Sequence, residues 1–314
     1  MCVASACVDR SCDGLQCPPG QTCHQAACST CPEKGCADAG PAIDAGCQGP
    51  TCVCFAPDSR GCYPYGGGVA DPTVGVGRCH LGTQGCGGDG GASTWGACQG
   101  AVVPGAEVCN GIDDDCDGTK DDGCPTAFTF DAGAVSPEYA TGTGGTPYAL
   151  GCAAGQVARG ASVTWYPGFW DYSVTLHCGT PVFRLADAGT TTAVYDVAVV
   201  AGANSATAGS PGSASGSFTC PSGHIVTGIF GKQSNAIVSL GLRCSAYLVS
   251  GNSGSFTVTR AAAGSSSALG QDAGSQYGFD CPGSQMLGGL FGHSGAWVDR
   301  LGGACLKPTL QLRP

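Results

Sequence analysis

The sequence predicts an all-β protein: a three-fold β-prism-like C-terminal domain preceded by small disulfide-rich, loop-rich modules. Three observations carry that expectation. Eighteen of the 24 cysteines lie in residues 1–124, spaced too closely for any segment between them to bury a core of its own. Residues 125–314 hold only six cysteines and alternate apolar with polar or small residues, the period-two signature of strands with one buried face. Those six fall into three pairs, Cys152…Cys178, Cys220…Cys244 and Cys281…Cys305, separated by 26, 24 and 24 residues. A spacing that regular marks repeated structural units.

Charge narrows the function before any motif is read. The 314 residues include 23 acidic and 13 basic side chains, a net charge of −10. A chain so acidic, with no basic run, is a poor partner for a phosphate backbone, so no nucleic acid is expected as a partner. The same balance disfavours docking on anionic lipid. No apolar run reaches the ~20 residues of a spanning helix, so no membrane span is expected.

So many cysteines imply disulfides and an oxidising compartment, extracellular or at the cell surface. The rival, a multi-zinc protein, asks for paired C-x2-C units with histidine support. Only Cys28-Ser-Thr-Cys31 has that spacing, Cys52-Val-Cys54 is a looser pair, and the five histidines are scattered. The sequence opens on Met1-Cys2, with neither the basic nor the apolar stretch of a signal peptide. A mature chain with an added methionine, or a gene start placed too late, is the expectation. Cys2 is a candidate for lipid attachment in an outer-membrane lipoprotein, and equally for the first disulfide.

Residues 1–36 carry eight cysteines at gaps of three to six and form the first module, which bridges alone must hold together. The stretch Leu15-Gln-Cys17-Pro-Pro-Gly-Gln-Thr-Cys23 resembles small EGF-like or trypsin-inhibitor-like knots. That resemblance implies an inhibitor or adhesion module, against the plainer reading of a cross-linked stalk. Eight cysteines allow 105 pairings, so the connectivity stays open. Residues 37–50, with Asp-Ala-Gly twice among small residues, read as a linker.

Residues 51–124 read as a second Cys-rich module ending in an acidic metal-binding loop, Glu107 to Cys124. Asp113, Asp115 and Asp117 occupy alternate positions ahead of Gly118, and Asp121 and Asp122 follow. This is the first half of a D-x-D-x-D-G calcium loop. Calcium takes six to eight oxygens at about 2.3–2.6 Å, and alternate side chains of a curled loop converge on one point. Gly118 admits the sharp turn, and Thr119 offers its carbonyl. The twelfth position, a glutamate in an EF-hand, is Cys124 here. Asp121 or Asp122 is therefore expected to close the shell, with bridges through Cys109, Cys116 and Cys124 in place of flanking helices. A solvated acidic turn is the plain alternative. The run from Glu107 to Gly118 also resembles the metal-binding repeat of copper-associated bacterial outer-membrane proteins, which implies a secreted or surface-attached bacterial protein. Copper prefers nitrogen and sulfur, whereas this loop offers oxygens, so calcium is the expected cofactor.

Within residues 125–314 the repeat is legible residue by residue. Five positions beyond each first cysteine stand Val157, Ile225 and Met286; eight beyond stand Gly160, Gly228 and Gly289. Approaching the second cysteine, Val174 and Leu176, then Leu240 and Leu242, alternate, while the third copy keeps Leu301 but has Gly303. Each copy reads as a strand, a turn, a second strand and a loop, then a third strand. Bridges 152–178, 220–244 and 281–305 would close one copy each. One copy cannot cover its own apolar face, so three must share a core. Cys220-Pro-Ser-Gly-His-Ile-Val-Thr-Gly-Ile-Phe-Gly, Cys281-Pro-Gly-Ser-Gln-Met-Leu-Gly-Gly-Leu-Phe-Gly and Gly295-Ala-Trp-Val-Asp-Arg-Leu-Gly302 resemble the vitelline-membrane outer-layer protein family and, less closely, jacalin-type lectins.

The lectin resemblance implies a carbohydrate site. In that family a G-x-x-x-D loop and a Gly-rich segment hold sugar hydroxyls; Gly295-Ala-Trp297-Val-Asp299 matches the loop, with Gly144-Gly145 as the partner segment. A carboxylate accepts from vicinal hydroxyls, and Trp297 offers an apolar face to a pyranose. Gly168-Phe-Trp-Asp171 is a shortened first-copy version, and Gln233-Ser-Asn-Ala-Ile-Val in the second copy lacks the aspartate. In the plain reading, Trp297 and Asp299 cap a turn. No H-E-x-x-H, G-x-S-x-G or G-K-[ST] motif occurs, and His177, His224 and His293 lack a partner cysteine or carboxylate at useful spacing, so no enzyme is expected. Two functions follow: a carbohydrate or surface-glycan binder, or a structural or adhesion component that meets a surface protein and binds no sugar.

Overall fold

The structure is a computed structural model. It describes residues 59–87, 95–168, 173–187 and 192–314 with their side chains. Elsewhere it describes the backbone of short strands only: Cys2–Val3, Ala6–Cys7, Thr22–His24, Ala27–Ser29, Val53–Cys54 and Ser93–Trp95. The bridge pattern expected in residues 1–36, the linker 37–50 and Asp171 lie outside the described residues. Among the described residues the chain is β apart from one 3-10 turn, Gly68–Ala70. No helix among them is long and apolar enough to cross a membrane.

The chain divides into two compact units, Met1–Gly75 with Cys79–Val103, and Val76–Arg78 with Pro104–Pro314. The acidic loop falls in the same unit as the strands that follow it. The first unit pairs Ser59–Cys62 with Gly82–Gly87, which continues to Ser93–Trp95. A Cys62–Cys98 bridge closes it, and the Arg60 guanidinium stacks 4.3 Å over the Trp95 ring.

The second unit is built on three antiparallel hairpins. Hairpin one joins Val157–Trp165 to Ser173–Asp187, hairpin two His224–Gln233 to Ile237–Asn252, and hairpin three Met286–Ser294 to Val298–Leu312. Each acquires a closing strand on its first arm. Ala214–Thr219 closes hairpin one and Ser275–Asp280 closes hairpin two. For hairpin three the place is taken by Thr146–Gly151, which precedes the first copy. The three faces thus form a closed ring in sequence as well as in space, the arrangement of a β-prism.

The pseudo-symmetry extends to single hydrogen bonds. Each closing strand leads into a first cysteine whose N–H donates to the first arm of the hairpin that strand closes: Cys152 to Gly288 O, Cys220 to Arg159 O and Cys281 to Thr227 O. Each of these cysteines is bonded to the second arm of the next hairpin, as Cys152–Cys178, Cys220–Cys244 and Cys281–Cys305. Each bridge therefore pins the crossover from one face to the next.

Register explains the repeated glycine. Each first arm has a bulge immediately before it, between Ala158 and Gly160, Val226 and Gly228, Leu287 and Gly289. A Cβ there would stand 2.4 Å from Phe218 O, 2.4 Å from Phe279 O and 2.7 Å from Leu150 O. The neighbouring backbone approaches too closely for any side chain.

Two apolar clusters fill the unit. The inner faces of all three hairpins meet in one, with Leu176, Leu240, Leu242, Leu287, Leu290 and Leu301 among its buried members. Val157, Ile225 and Met286, the equivalent residues at the start of each first arm, are fully buried in a second cluster with Phe128, Tyr195, Tyr247 and the Cys109–Cys124 bridge. Burial of each such side chain is worth about 1.5–3 kcal/mol. The longer second arms and Pro125–Val135, which pairs with Val298–Leu312, wall this second core.

A device the sequence did not reveal recurs three times. Ser136, Ser205 and Ser266 each accept from a second-arm N–H through their hydroxyls, from Gly303 at 2.8 Å, Leu176 at 2.9 Å and Leu242 at 2.9 Å. Each also donates its own N–H back to the carbonyl of that same residue. The serine satisfies both backbone groups of a second-arm residue where the neighbouring strand pairing is interrupted.

Candidate functional site

The turn of hairpin three, Ser294 to Val298, is held by the Gly295 N–H donating to Trp297 O at 2.9 Å. Asp299 follows it at 6% exposure, and Trp297 stands 44% exposed. The indole Nε1–H donates to Asp299 Oδ1 at 3.1 Å. Asp299 Oδ2 is buried and has no hydrogen-bond partner. A buried charged acceptor left alone costs free energy until a donor reaches it.

The segment that precedes the third face's closing strand lies against that oxygen. A Cβ on Gly145 would stand 2.5 Å from Asp299 Oδ2, and one on Gly144 3.1 Å from Oδ1. Gly145 also has φ +76°, a conformation that favours glycine. Gly295 comes within 3.9 Å of Oδ2 by the same measure. Gly144, Gly145, Gly295, Trp297 and Asp299, spread over 150 residues of chain, are therefore one cluster. The arrangement places a buried acceptor under bare backbone, beside an exposed aromatic face, which suits a hydroxyl-bearing ligand with an apolar side. The matching position in hairpin two is Val238, buried at 1% exposure, so no acceptor exists there. Its first-copy counterpart with Asp171 is outside the described residues.

Beside this cluster, Glu138 Oε2 is 3.0 Å from Arg300 Nη1 and 3.4 Å from His293 Nδ1. The Tyr148 hydroxyl donates to Arg300 O at 3.2 Å, and burial, followed by the Glu138 charge, pushes that phenol above its ordinary range. These contacts brace the arm that carries Asp299.

Ser162 Oγ and His177 Nε2 are 2.7 Å apart. Burial, with the Arg159 charge as second cause, holds this imidazole below its ordinary value of 6.5. The unfolded chain then takes up the proton first, so stability present at neutral pH is lost as pH falls below 6.5 towards the folded midpoint. A proton NMR titration should place the His177 midpoint below that of a free imidazole; a midpoint at or above it would contradict the burial argument.

The acidic loop is wound by its own side chains. Glu107, 5% exposed, accepts from the N–H of Asp114 and Asp115 on Oε2 and of Asp121 on Oε1, at 2.9, 3.2 and 3.0 Å. Asp113 Oδ2 accepts from Gly118 N at 3.0 Å, with Gly118 at φ +100°. Asp115 accepts from Asp117 N, and Asp117 from Thr119 N.

Two groups of carboxylate oxygens result, each within 4.8 Å of one another: Asp113 with Asp115 and Asp117, and Glu107 with Asp115 and Asp122. Asp121 is turned elsewhere, accepting from Gly111 N at 2.7 Å with its other oxygen 3.6 Å from Arg313. Asp114 is taken by Arg78 and by Asn110 Nδ2. Thr119 enters the loop through its N–H. Burial first, then the charges of Asp117, Asp122 and Asp113, raises Asp115 above the usual carboxylate value; burial likewise raises Glu107. Glu107, which precedes the D-x-D-x-D-G run, was not among the residues expected from the sequence to gather there.

Comparison with solved structures returns plant lectins at low identity. Similarity extends to a Malaysian banana lectin (14% identity, 56% of this chain and 99% of the lectin, TM-score 0.35). It extends also to the Calystegia sepium agglutinin (16% identity, 56% and 97%, TM-score 0.33) and to a mannose-binding jacalin-related lectin from Ananas comosus (15% identity, 56% and 98%, TM-score 0.32). No protein-family model matches the sequence, and no curated protein matches it.

Proposed function

We propose that this chain is an extracellular or cell-surface carbohydrate-binding protein of bacterial type, whose prism takes a sugar at Asp299 and whose acidic loop takes calcium. The observation that carries the sugar reading is Asp299 Oδ2, buried and unpartnered under the Gly144-Gly145 backbone, next to exposed Trp297. A hydroxyl donating to a carboxylate contributes about 1.5–3 kcal/mol, and tenfold in affinity corresponds to about 1.4 kcal/mol. On a glycan array, Asp299→Asn in the oxidised full chain should therefore weaken every retained sugar by about 10- to 150-fold. Blank arrays for the unaltered protein would overturn the sugar reading in favour of a structural or adhesion role.

The calcium reading is supported by oxygen-only donors and by Asp113 Oδ1, which is buried without a partner in a residue 2% exposed. Calcium added to chelator-treated protein should raise the unfolding temperature, since a ligand at about 100 times its Kd adds about 2.7 kcal/mol. An unchanged transition would remove calcium from the account. The disulfides at both the loop and the prism support an oxidising compartment.

A further inference from the structure

We propose that the acidic loop holds two divalent cations, one between Asp113 and Asp117 and one between Glu107 and Asp122, with Asp115 shared between them. The proposal rests on the reading of the loop as a calcium site and changes its stoichiometry. A calcium ion keeps its oxygens at about 2.3–2.6 Å, so two ligands of the same ion stand no more than about 5 Å apart. Both oxygen groups meet that limit, at 4.8 Å or less, and Asp115 is the residue common to both.

Each group also contains a buried oxygen that lacks a donor: Asp113 Oδ1, on a residue 2% exposed, and Asp122 Oδ1. The remaining side-chain acceptors of the loop are spoken for. Asp114 is neutralised by Arg78 and Asp121 lies beside Arg313, so neither charge is left for a cation. Glu107 keeps capacity, because Oε1 accepts a single N–H, from Asp121, and a carboxylate oxygen has two lone pairs.

Charge favours the second ion. Glu107, Asp113, Asp115, Asp117 and Asp122 carry five negative charges within the two overlapping groups. One divalent cation would leave three of them uncompensated, largely around the group it does not occupy. Two would leave one. Like charges this close repel one another. The loop cannot relieve that repulsion by opening, because its ends are fixed. The Cys109–Cys124 bridge closes it, and Gly123 N donates to Arg313 O while Arg313 N donates to Cys124 O, both at 2.8 Å.

Calorimetric titration of the chelator-stripped, oxidised full chain with calcium chloride, with ions counted by native mass spectrometry, tests the proposal. Two calcium ions per chain are expected. Asp117→Asn and Asp122→Asn should each retain one, and Asp115→Asn should weaken both at least tenfold. One ion per unaltered chain overturns the two-ion proposal and leaves the single calcium site standing; none removes both. The count on the unaltered protein decides even if a variant fails to fold, and an Asp115→Asn chain that still holds one ion at full strength would overturn the shared ligand.

Discussion

Leu242→Ala should destabilise the chain by about 3–5 kcal/mol, because the side chain is fully buried where all three faces meet. The cost of such a truncation depends on how far the surroundings can collapse. Here they cannot: each face is tied to the next by a bridge, and the Leu242 backbone is held by Ser266. The cavity should therefore persist. Chemical denaturation should show a lower midpoint with an unchanged slope, and a loss under about 1 kcal/mol would mean the prism core is loosely packed. Gly303, the equivalent residue of the third copy, makes the contrast. Its space is filled from elsewhere, with Leu287, Phe279 and Ile229 side chains 3.2–3.4 Å from where a Cβ would stand. Gly303→Ala should cost less than Leu242→Ala.

Replacing Cys220 and Cys244 together by alanine should cost about 3–4 kcal/mol, the chain-entropy value for a loop of 24 residues. That is roughly 10 °C in unfolding temperature for a unit of this size. The position of the bridge adds to the expectation. Cys220 directly follows the strand that closes hairpin one and begins the copy that forms hairpin two, so its loss frees two faces at one seam. Both half-cystines are also buried, and the sulfurs leave a void. Thermal unfolding of the oxidised double variant against the unaltered protein measures the difference. A shift of a degree or two would show that strand pairing alone fixes the crossover.

The repeat was legible in the sequence because strand geometry is local. Val157, Ile225 and Met286 lie at one offset, and Gly160, Gly228 and Gly289 at another, since each copy needs the same buried side chain and the same bare backbone at its bulge. Alternation then told which residues face inward. The three serines that cap the second arms were not legible. A hydroxyl that accepts one N–H leaves no periodicity, and the loops bearing Ser136, Ser205 and Ser266 otherwise share little.

The candidate sites divide along the same line. Asp113, Asp115 and Asp117 were visible as one group of carboxylates because alternate residues of a tight loop must converge. Glu107 was not, because its role depends on the chain folding back so that three N–H groups of later residues reach it. Alternation already set Asp114 aside, but Asp121 and Asp122 looked interchangeable in sequence; only packing beside Arg313 and Gly111 separates Asp121 from Asp122.

By itself the sequence determined a β protein with a threefold repeat, since period-two alternation and fixed offsets depend only on neighbouring residues. Tertiary structure alone decided that Thr146–Gly151 closes the third face, which brings Gly144-Gly145 over Asp299. That pairing spans most of the domain and is selected by the need to cover an exposed sheet edge. No short stretch of residues encodes such a requirement, because it exists only once the other two faces are formed.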